Sequence, residues 1–414
     1  MNNNSTSAVS EAVATLLSPS TIRSRAHQIL ELAEQDKLTH WRFVAEPWDK
    51  VVGFVADHIL ENYPTLNIPY HSRIRHFDAG DVERSKDFAQ RIAGLSPEEQ
   101  GTAWYDLIIL SVLLDAGAGP TWSYQEKETH TSYGRSEGLA VASYRMFVDG
   151  LFSSDPSQPL RADASKLSTI TVQDIADGMQ VTPENPMIGL EGRVVLLQSL
   201  GKSVLENPAS FGDTERPGGL FLSLWKKVDQ QQIEATSILE AVLMSLGSIW
   251  PGRFQMDDVN LGDVWKHSSI QTNDATSGFL PFHKLSQWLT YSLLEPLEFA
   301  GVRVNGLDNL TGLAEYRNGG LFMDFGVLAF RDPKQAEVEH PTESELVVEW
   351  RALTVALLDR IAVDVRKRLD LSQEEFPLAK VLQGGTWSAG RAIAKTYRSD
   401  GRPPIAIERD GTVF

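Results

Sequence analysis

Apolar positions recur with a helical period along most of the chain. Ile22, Ala26, Ile29, Leu30 and Ala33 share one face, as do Val51, Val52, Val55, Ile59 and Leu60, so each segment is predicted to be an amphipathic helix. Residues 67–77, rich in aromatic and basic side chains and following Pro64, read as an ordered loop. Ser96-Pro97-Glu98-Glu99 is a helix start, with Ser96 as cap, Pro97 in the first turn and Glu99 placed to return a hydrogen bond. That helix runs to about Leu114, where Asp115 to Pro120 stop it through two glycines and a proline. Similar patterns predict helices near 135–152, 171–178, 187–206, 218–228, 233–247, 279–299, 345–369 and 386–399. The fold class expected is mainly α, with a few short strands.

Two segments depart from that pattern. Residues 319–331 are apolar and punctuated by Gly319, Gly320 and Gly326, which suggests a strand or an inserted loop. Residues 404–414 alternate and contain Asp410-Gly411, a tight-turn pair, so a C-terminal hairpin is expected. Polar, proline-containing stretches at 153–165 and 332–344 are the best linker candidates, yet no shift in composition separates two halves. Residues 1–7 are expected to be a mobile terminus and 8–414 a single helical catalytic unit, with sublobes allowed. No repeat of 20 to 50 residues is evident.

Composition narrows the chemistry. At 414 residues, 42% hydrophobic and 22% charged, the chain can bury a large core. With no cysteine it offers no disulfide, thiolate nucleophile or cysteine-held metal. A net charge of −17 argues against extended binding to nucleic acid or an anionic membrane. No apolar run approaches the roughly 20 residues of a membrane span, and the first residues lack a basic flank, so the cytoplasm is the expected location.

Motif tests remove further classes. Gly201-Lys202-Ser203 ends like a phosphate loop, but Leu196 stands where its first glycine belongs, so a helix surface is the better reading. Met256-Asp257-Asp258 lacks the strand and the Thr-Gly loop of common phosphoribosyltransferases. There is no His-Glu-x-x-His and the nine His are scattered, so no metal and no cofactor is expected. No Gly-x-Ser-x-Gly elbow is present. Carboxylates in glycine or aromatic surroundings remain: Asp115, Glu137, Asp263, Glu315, Asp324 and Glu349. Each could stabilise a cationic transition state or orient water; for any single one, capping a helix or pairing with Arg is the commoner role. Gly384-Gly385-Thr386-Trp387 suggests a helix N-terminus open to an anion, with Arg391 and Lys395 a turn apart beside it, or else an ordinary helix start. Phe282-His283-Lys284 and Glu349-Trp350-Arg351 set aromatics beside cations, suited to a sugar phosphate or to core packing with cationic heads at the rim.

The phrases Tyr105 to Pro120, Gly134 to Ser143, Leu261-Gly-Asp-Val-Trp265, Pro281 to Gln287, Glu315-Tyr-Arg-Asn-Gly-Gly320 and Gly384 to Phe414 together resemble the uracil catabolism protein 4 family of fungi and bacteria, over about residues 20 to 414. A fainter similarity reaches the queuosine-phosphate salvage N-glycosylases. It rests on Asp115 seven residues before Trp122, Arg145 four before Asp149, Glu349-x-Arg351, and Trp387 four before Arg391. The resemblance implies a helical, DNA-glycosylase-like architecture and a pathway in which uracil is ribosylated, its ring opened and urea released.

Together the resemblances imply an N-ribosyl hydrolase that cleaves the C1′–N bond of ribosylurea or its 5-phosphate. Asp115 is the first candidate for the catalytic carboxylate, with Asp263, Glu315 and Asp324 as substitutes. The implied substrate-binding set is Lys284, Arg351 and Arg391 for phosphate, Trp122 and Trp387 as walls, and His283, Arg317 and Glu349. The partner expected is a small phosphorylated ribosyl substrate. The alternatives are a non-catalytic nucleotide-binding protein of the pathway and a uracil phosphoribosyltransferase.

Overall fold

A computed structural model describes residues 10–250 and 252–408. They are mainly α, with short strands paired two by two. Contacts divide the chain into two compact units, each assembled from separated stretches: residues up to 68, 252–284 and 311–408 form the first, and residues 69–250 and 285–310 the second. The linker candidates at 153–165 and 332–344 lie inside a unit, not at a division. Asp163 there caps the Ala164–Thr169 helix and also accepts Ser154 N–H. None of the described helices is long and apolar enough to cross a membrane.

In the first unit the Glu345–Leu369 helix is buried on nearly every side over its first four turns, Glu349 and Arg351 included. Ser344 caps it, Arg366, Lys367 and Arg368 sit in its last turn where the helix dipole favours cations, and Asp370 leaves it at φ 54°. The Pro19–Glu34 and Trp48–Asn62 helices pack on it. Asp359 fastens the first of these by accepting from Arg23 at 2.8 Å and from His27 at 2.9 Å. Strand Trp41–Phe43 pairs antiparallel with Leu328–Phe330, and Val264–Lys266 with Phe279–Pro281.

Three expectations are corrected by the structure. The predicted 279–299 helix begins only at Lys284, because 279–281 is a strand. The glycine-punctuated segment is a helix, Tyr316–Asp324, followed by strand Leu328–Phe330. Gly319 and Gly320 answer to neighbours, a Cβ on Gly319 lying 2.3 Å from the Trp350 ring and one on Gly320 3.0 Å from Pro404, while Gly326 takes φ 76°. Gly384-Gly385 does not start a helix either. A π-helical turn, Val381–Thr386, joins the Leu378–Lys380 turn to the Trp387–Tyr397 helix, so the amides there lie inside a continuous helical run. A Cβ on Gly384 or Gly385 would stand 3.0 Å from Ile68 or Val55 respectively, so close approach explains both. Ala406–Ile407, in the first arm of the expected terminal hairpin, pairs in parallel with Glu339–His340, and the second arm of that hairpin lies outside the described residues. The Asp410-Gly411 turn lies outside the described residues, as do residues 1–7.

The second unit is built around the Pro97–Leu113 helix, buried from Gly101 onward. Its capping box forms as the sequence predicts, with Glu99 N–H on Ser96 Oγ and Ser96 N–H on Glu99 Oε2. The Gly219–Trp225 and Arg135–Val148 helices pack against it. Its Asp106, fully buried, accepts from Arg216, Ala162 N–H and Gly218 N–H and so ties three segments together. Gly201 lies in the middle of the Leu190–Glu206 helix, where a Cβ would come within 2.5 Å of Ser168 Oγ. The stretch expected as loop over 67–77 contains a short helix, Arg73–Phe77.

Candidate active site

Asp115 stands just past the end of the Pro97–Leu113 helix, its N–H still donating to Val112 O at 3.1 Å. Arg193, from the Leu190–Glu206 helix, fixes this exit. Its Nε donates to Leu114 O at 3.1 Å, its Nη2 to Ala116 O and its Nη1 to Ile188 O at 2.6 Å. One guanidinium therefore holds the carbonyls on both sides of Asp115. Burial lowers Arg193 to about 10, with the charge of Asp115 opposing.

The Asp115 carboxylate is held by two further segments. Arg73, completely buried, places Nη1 3.0 Å from Asp115 Oδ2, and Ser136 Oγ donates to the same oxygen at 2.6 Å. Arg73 is itself clamped, since Nε donates to Ser111 Oγ at 2.7 Å and Nη1 reaches Ser136 Oγ at 3.1 Å. His76 sets Nδ1 3.1 Å from Ser136 Oγ, and its ring lies 5.7 Å from that of Trp288. Burial pulls Arg73 below its ordinary value, against the opposing charges of Asp115 and Glu137. Ser136 enters from the start of the Arg135–Val148 helix, whose first residue has φ 55°, a left-handed conformation that long side chains rarely adopt. A carboxylate, a hydroxyl, an imidazole and a guanidinium thus meet within hydrogen-bonding reach. That set can stabilise positive charge, orient water and move a proton.

Trp122, expected as a pocket wall, is 2% exposed and donates Nε1–H to Met179 O at 3.0 Å. Its ring backs Gly138, where a Cβ would meet it at 3.1 Å, and so supports the helix that carries Ser136.

The remaining expected residues belong to the first unit. Asp263 and Arg351 form a forked ion pair, and Asp263 also accepts Trp265 Nε1–H at 2.6 Å and Lys284 N–H at 2.9 Å. Burial pushes the Asp263 carboxyl up, but Arg351 and the two N–H donors outweigh it and hold the carboxyl well below the usual range. The Arg351 guanidinium lies 4.1 Å from the Phe282 ring, which is the core-packing arrangement of an aromatic and a cation. His283 is buried at φ 47° and donates Nε2–H to Leu16 O at 2.9 Å; burial lowers its pKa. Glu315 caps the Tyr316–Asp324 helix by accepting Arg317 N–H at 2.8 Å and Asn318 N–H at 2.6 Å. Burial raises its carboxyl against those bonds and the charges of Lys284 and Arg317. Arg317 Nη1 donates to Gly401 O at 2.6 Å. Asp324 pairs with Arg398 through both oxygens, at 2.8 and 2.6 Å. Arg391 lies 5.7 Å from the Trp387 ring one turn earlier. Cap and ion pair, the competing reading of these carboxylates, describes Asp263, Glu315 and Asp324.

Among the described residues, one group has the composition of a metal site: His267, Glu345 and Glu349 offer ligand atoms within 4.8 Å of one another. His267 Nε2 is buried without a hydrogen-bond partner among the described residues. His267 Nδ1 accepts Ser269 N–H at 3.1 Å, which leaves the proton of a neutral ring on Nε2, facing Glu345 at 3.5 Å and Glu349 at 3.4 Å. Glu349 also accepts Thr39 and His40 N–H, tying the central helix to the Trp41–Phe43 strand. Coordination through Nε2 would require the ring to lose its last proton.

Arg73, His76 and Ser136 are the residues that sequence reasoning missed. Two signals stood in plain view: the basic run 73–76 in a segment read as loop, and the phrase Gly134-Arg-Ser-Glu-Gly138, which supplies Ser136. No fixed spacing joins either to Asp115.

The family described as "Protein of unknown function (DUF1688)" matches residues 15–414. "Uracil catabolism protein 4" of Lachancea kluyveri is 37% identical over 440 residues, covering 98% of this chain and 100% of that protein. "Protein urg3" of Schizosaccharomyces pombe is 41% identical over 413 residues, covering 98% and 99%.

Proposed function

The chain belongs to the DUF1688 family and is similar over nearly its whole length to uracil catabolism protein 4 and urg3, and from that premise we propose that it acts in uracil catabolism as an N-ribosyl hydrolase. The substrate in this reading is ribosylurea or its 5-phosphate, a small ribosyl compound of the cytoplasm. Water adds to C1′, the C1′–N bond breaks with its electron pair going to the urea nitrogen, and a proton joins that nitrogen. The products are urea and ribose or ribose 5-phosphate.

The observation that carries the reading is the Asp115 carboxylate, gripped on one oxygen by Arg73 and Ser136 and fixed through its backbone by Arg193. Positive charge grows on C1′ and the ring oxygen as the bond stretches, so a fixed carboxylate contributes most at the transition state. Ser136 and His76 form the proton-handling side of the same cluster. Arg351 is a poor phosphate ligand in this reading, because both of its Nη groups serve Asp263.

Incubating the purified protein with ribosylurea 5-phosphate, and separately with uracil and phosphoribosyl diphosphate, tests the proposal. Urea from the first supports hydrolysis. UMP from the second moves the chain to phosphoribosyl transfer. Neither product leaves a non-catalytic ligand-binding protein of the pathway.

A further inference from the structure

Two buried donors, one on the Asp115 partner Arg73 and one on its neighbour Trp288, have no hydrogen-bond partner among the described residues: Arg73 Nη2 and Trp288 Nε1. Arg73 is 0% and Trp288 8% exposed, so bulk water does not satisfy them. Buried polar groups are nearly always paired, and two neighbouring exceptions call for an acceptor. They are neighbours by construction. The Arg73 guanidinium carbon lies 5.6 Å from the centre of the Trp288 ring, and Ser292 Oγ links their backbones by accepting Arg73 N–H and donating to Trp288 O, both at 2.9 Å. The other nitrogens of the guanidinium are held by Ser111, Ser136 and Asp115, which fixes the direction of Nη2.

Resting on the hydrolase reading of the same site, we propose that Arg73 Nη2 and Trp288 Nε1 receive the carbonyl oxygen of the departing ureido group. When the C1′–N bond breaks, its electron pair passes to the urea nitrogen and by conjugation onto that oxygen, until the nitrogen takes a proton. Two fixed donors in a water-poor site act most strongly on charge that appears only in the transition state. The charge balance also favours a neutral ligand over an anion, since Asp115 and Glu137 already oppose the charges of Arg73 and Arg193. A ureido oxygen, neutral when bound and partly negative as the bond breaks, meets both conditions; a phosphate meets only the first need, for an acceptor.

The test uses the whole protein labelled with ¹⁵N and the Trp288→Phe variant, which keeps a ring and removes the donor. The indole resonance missing from the variant is that of Trp288. It is expected to move when urea is titrated in and to stay in place with inorganic phosphate. With ribosylurea 5-phosphate, Trp288→Phe is expected to lower kcat about 10- to 100-fold while KM changes about twofold or less. A resonance that answers only to phosphate, or to neither probe, overturns the inference, as does a variant with full kcat. Hydrolysis stands or falls separately: urea release by the wild type with an indifferent Trp288→Phe sinks the donor pair alone. An indole shift with urea but no turnover keeps the ureido site and sinks the hydrolase.

Discussion

Arg351 gives each Nη to a different oxygen of Asp263, both at 2.7 Å. The guanidinium is fully buried and the carboxylate nearly so. Removing one partner leaves the other charged and buried, which costs about 3–5 kcal/mol. Arg351→Met is therefore expected to lower the unfolding free energy by that order, measured by urea denaturation. Were Arg351 instead a phosphate ligand, the variant would keep its stability and lose affinity for substrate. A stability change below about 1 kcal/mol would remove the structural role assigned to this pair.

Asp115→Asn keeps the shape of the side chain and removes its charge. Urea release is expected to fall about 10²- to 10³-fold in kcat, the scale of a lost electrostatic contact in a preorganised site. Ser136→Ala removes one donor to the same oxygen and is expected to cost about 10-fold, the worth of one hydrogen bond to a charged group. Stopped assays for urea with each variant, alongside a thermal melt, separate lost chemistry from lost fold. An Asp115→Asn enzyme with full turnover would take the carboxylate out of the mechanism.

Ser96 and Gly319 show where sequence reasoning succeeded and where it failed. The capping box of Ser96 and Glu99 was legible because both partners lie within four residues, and the apolar faces of the long helices because period 3.6 is itself a local signal. Gly319 and Gly320 looked like breakers only because their reason is distant. Gly319 lies under Trp350, and a Cβ on Gly390 would come within 2.2 Å of Arg317 O, so the Tyr316–Asp324 and Trp387–Tyr397 helices meet backbone to backbone. The Asp115 cluster was half legible for the same reason. Asp115 stood out in its glycine-rich turn, but Arg73 and Ser136 reach it from separate segments, and no spacing rule predicts a meeting made by tertiary packing.

Gly390→Ala weighs these two influences against each other. Alanine improves helix propensity by up to about 1 kcal/mol, yet the new methyl would collide with a main-chain carbonyl that has no rotamer to move. Overpacking of this kind costs about 1–3 kcal/mol, so the variant is expected to be less stable on balance in a chemical melt. A stabilised Gly390→Ala would show that the two helices can separate without penalty.

His283 is one contributor to the pH dependence of the first unit. Burial is the largest influence on its ring and lowers the pKa; Arg351 adds to the shift, while Leu16 O and Asp263 oppose it. The unfolded chain therefore takes up a proton at a pH where the folded chain still refuses it. The sign follows: stability from the neutral ring is fully present above the unfolded value of about 6.5 and is lost as pH falls toward the folded value. His58 is shifted the same way by burial and adds to the slope. Glu315, raised by burial, acts in the opposite sense, because its folded form keeps a proton longer and gains stability as pH falls through its own window. Asp263, held low, contributes above the unfolded carboxylate range and is lost only in stronger acid. His283→Asn isolates the first effect, since asparagine tolerates the left-handed backbone at this position and does not titrate. Denaturation midpoints measured from pH 7.5 down to about 5 are expected to fall less steeply in His283→Asn than in the wild type. Parallel slopes in the two proteins would mean that His283 is protonated as readily in the folded chain as in the unfolded one.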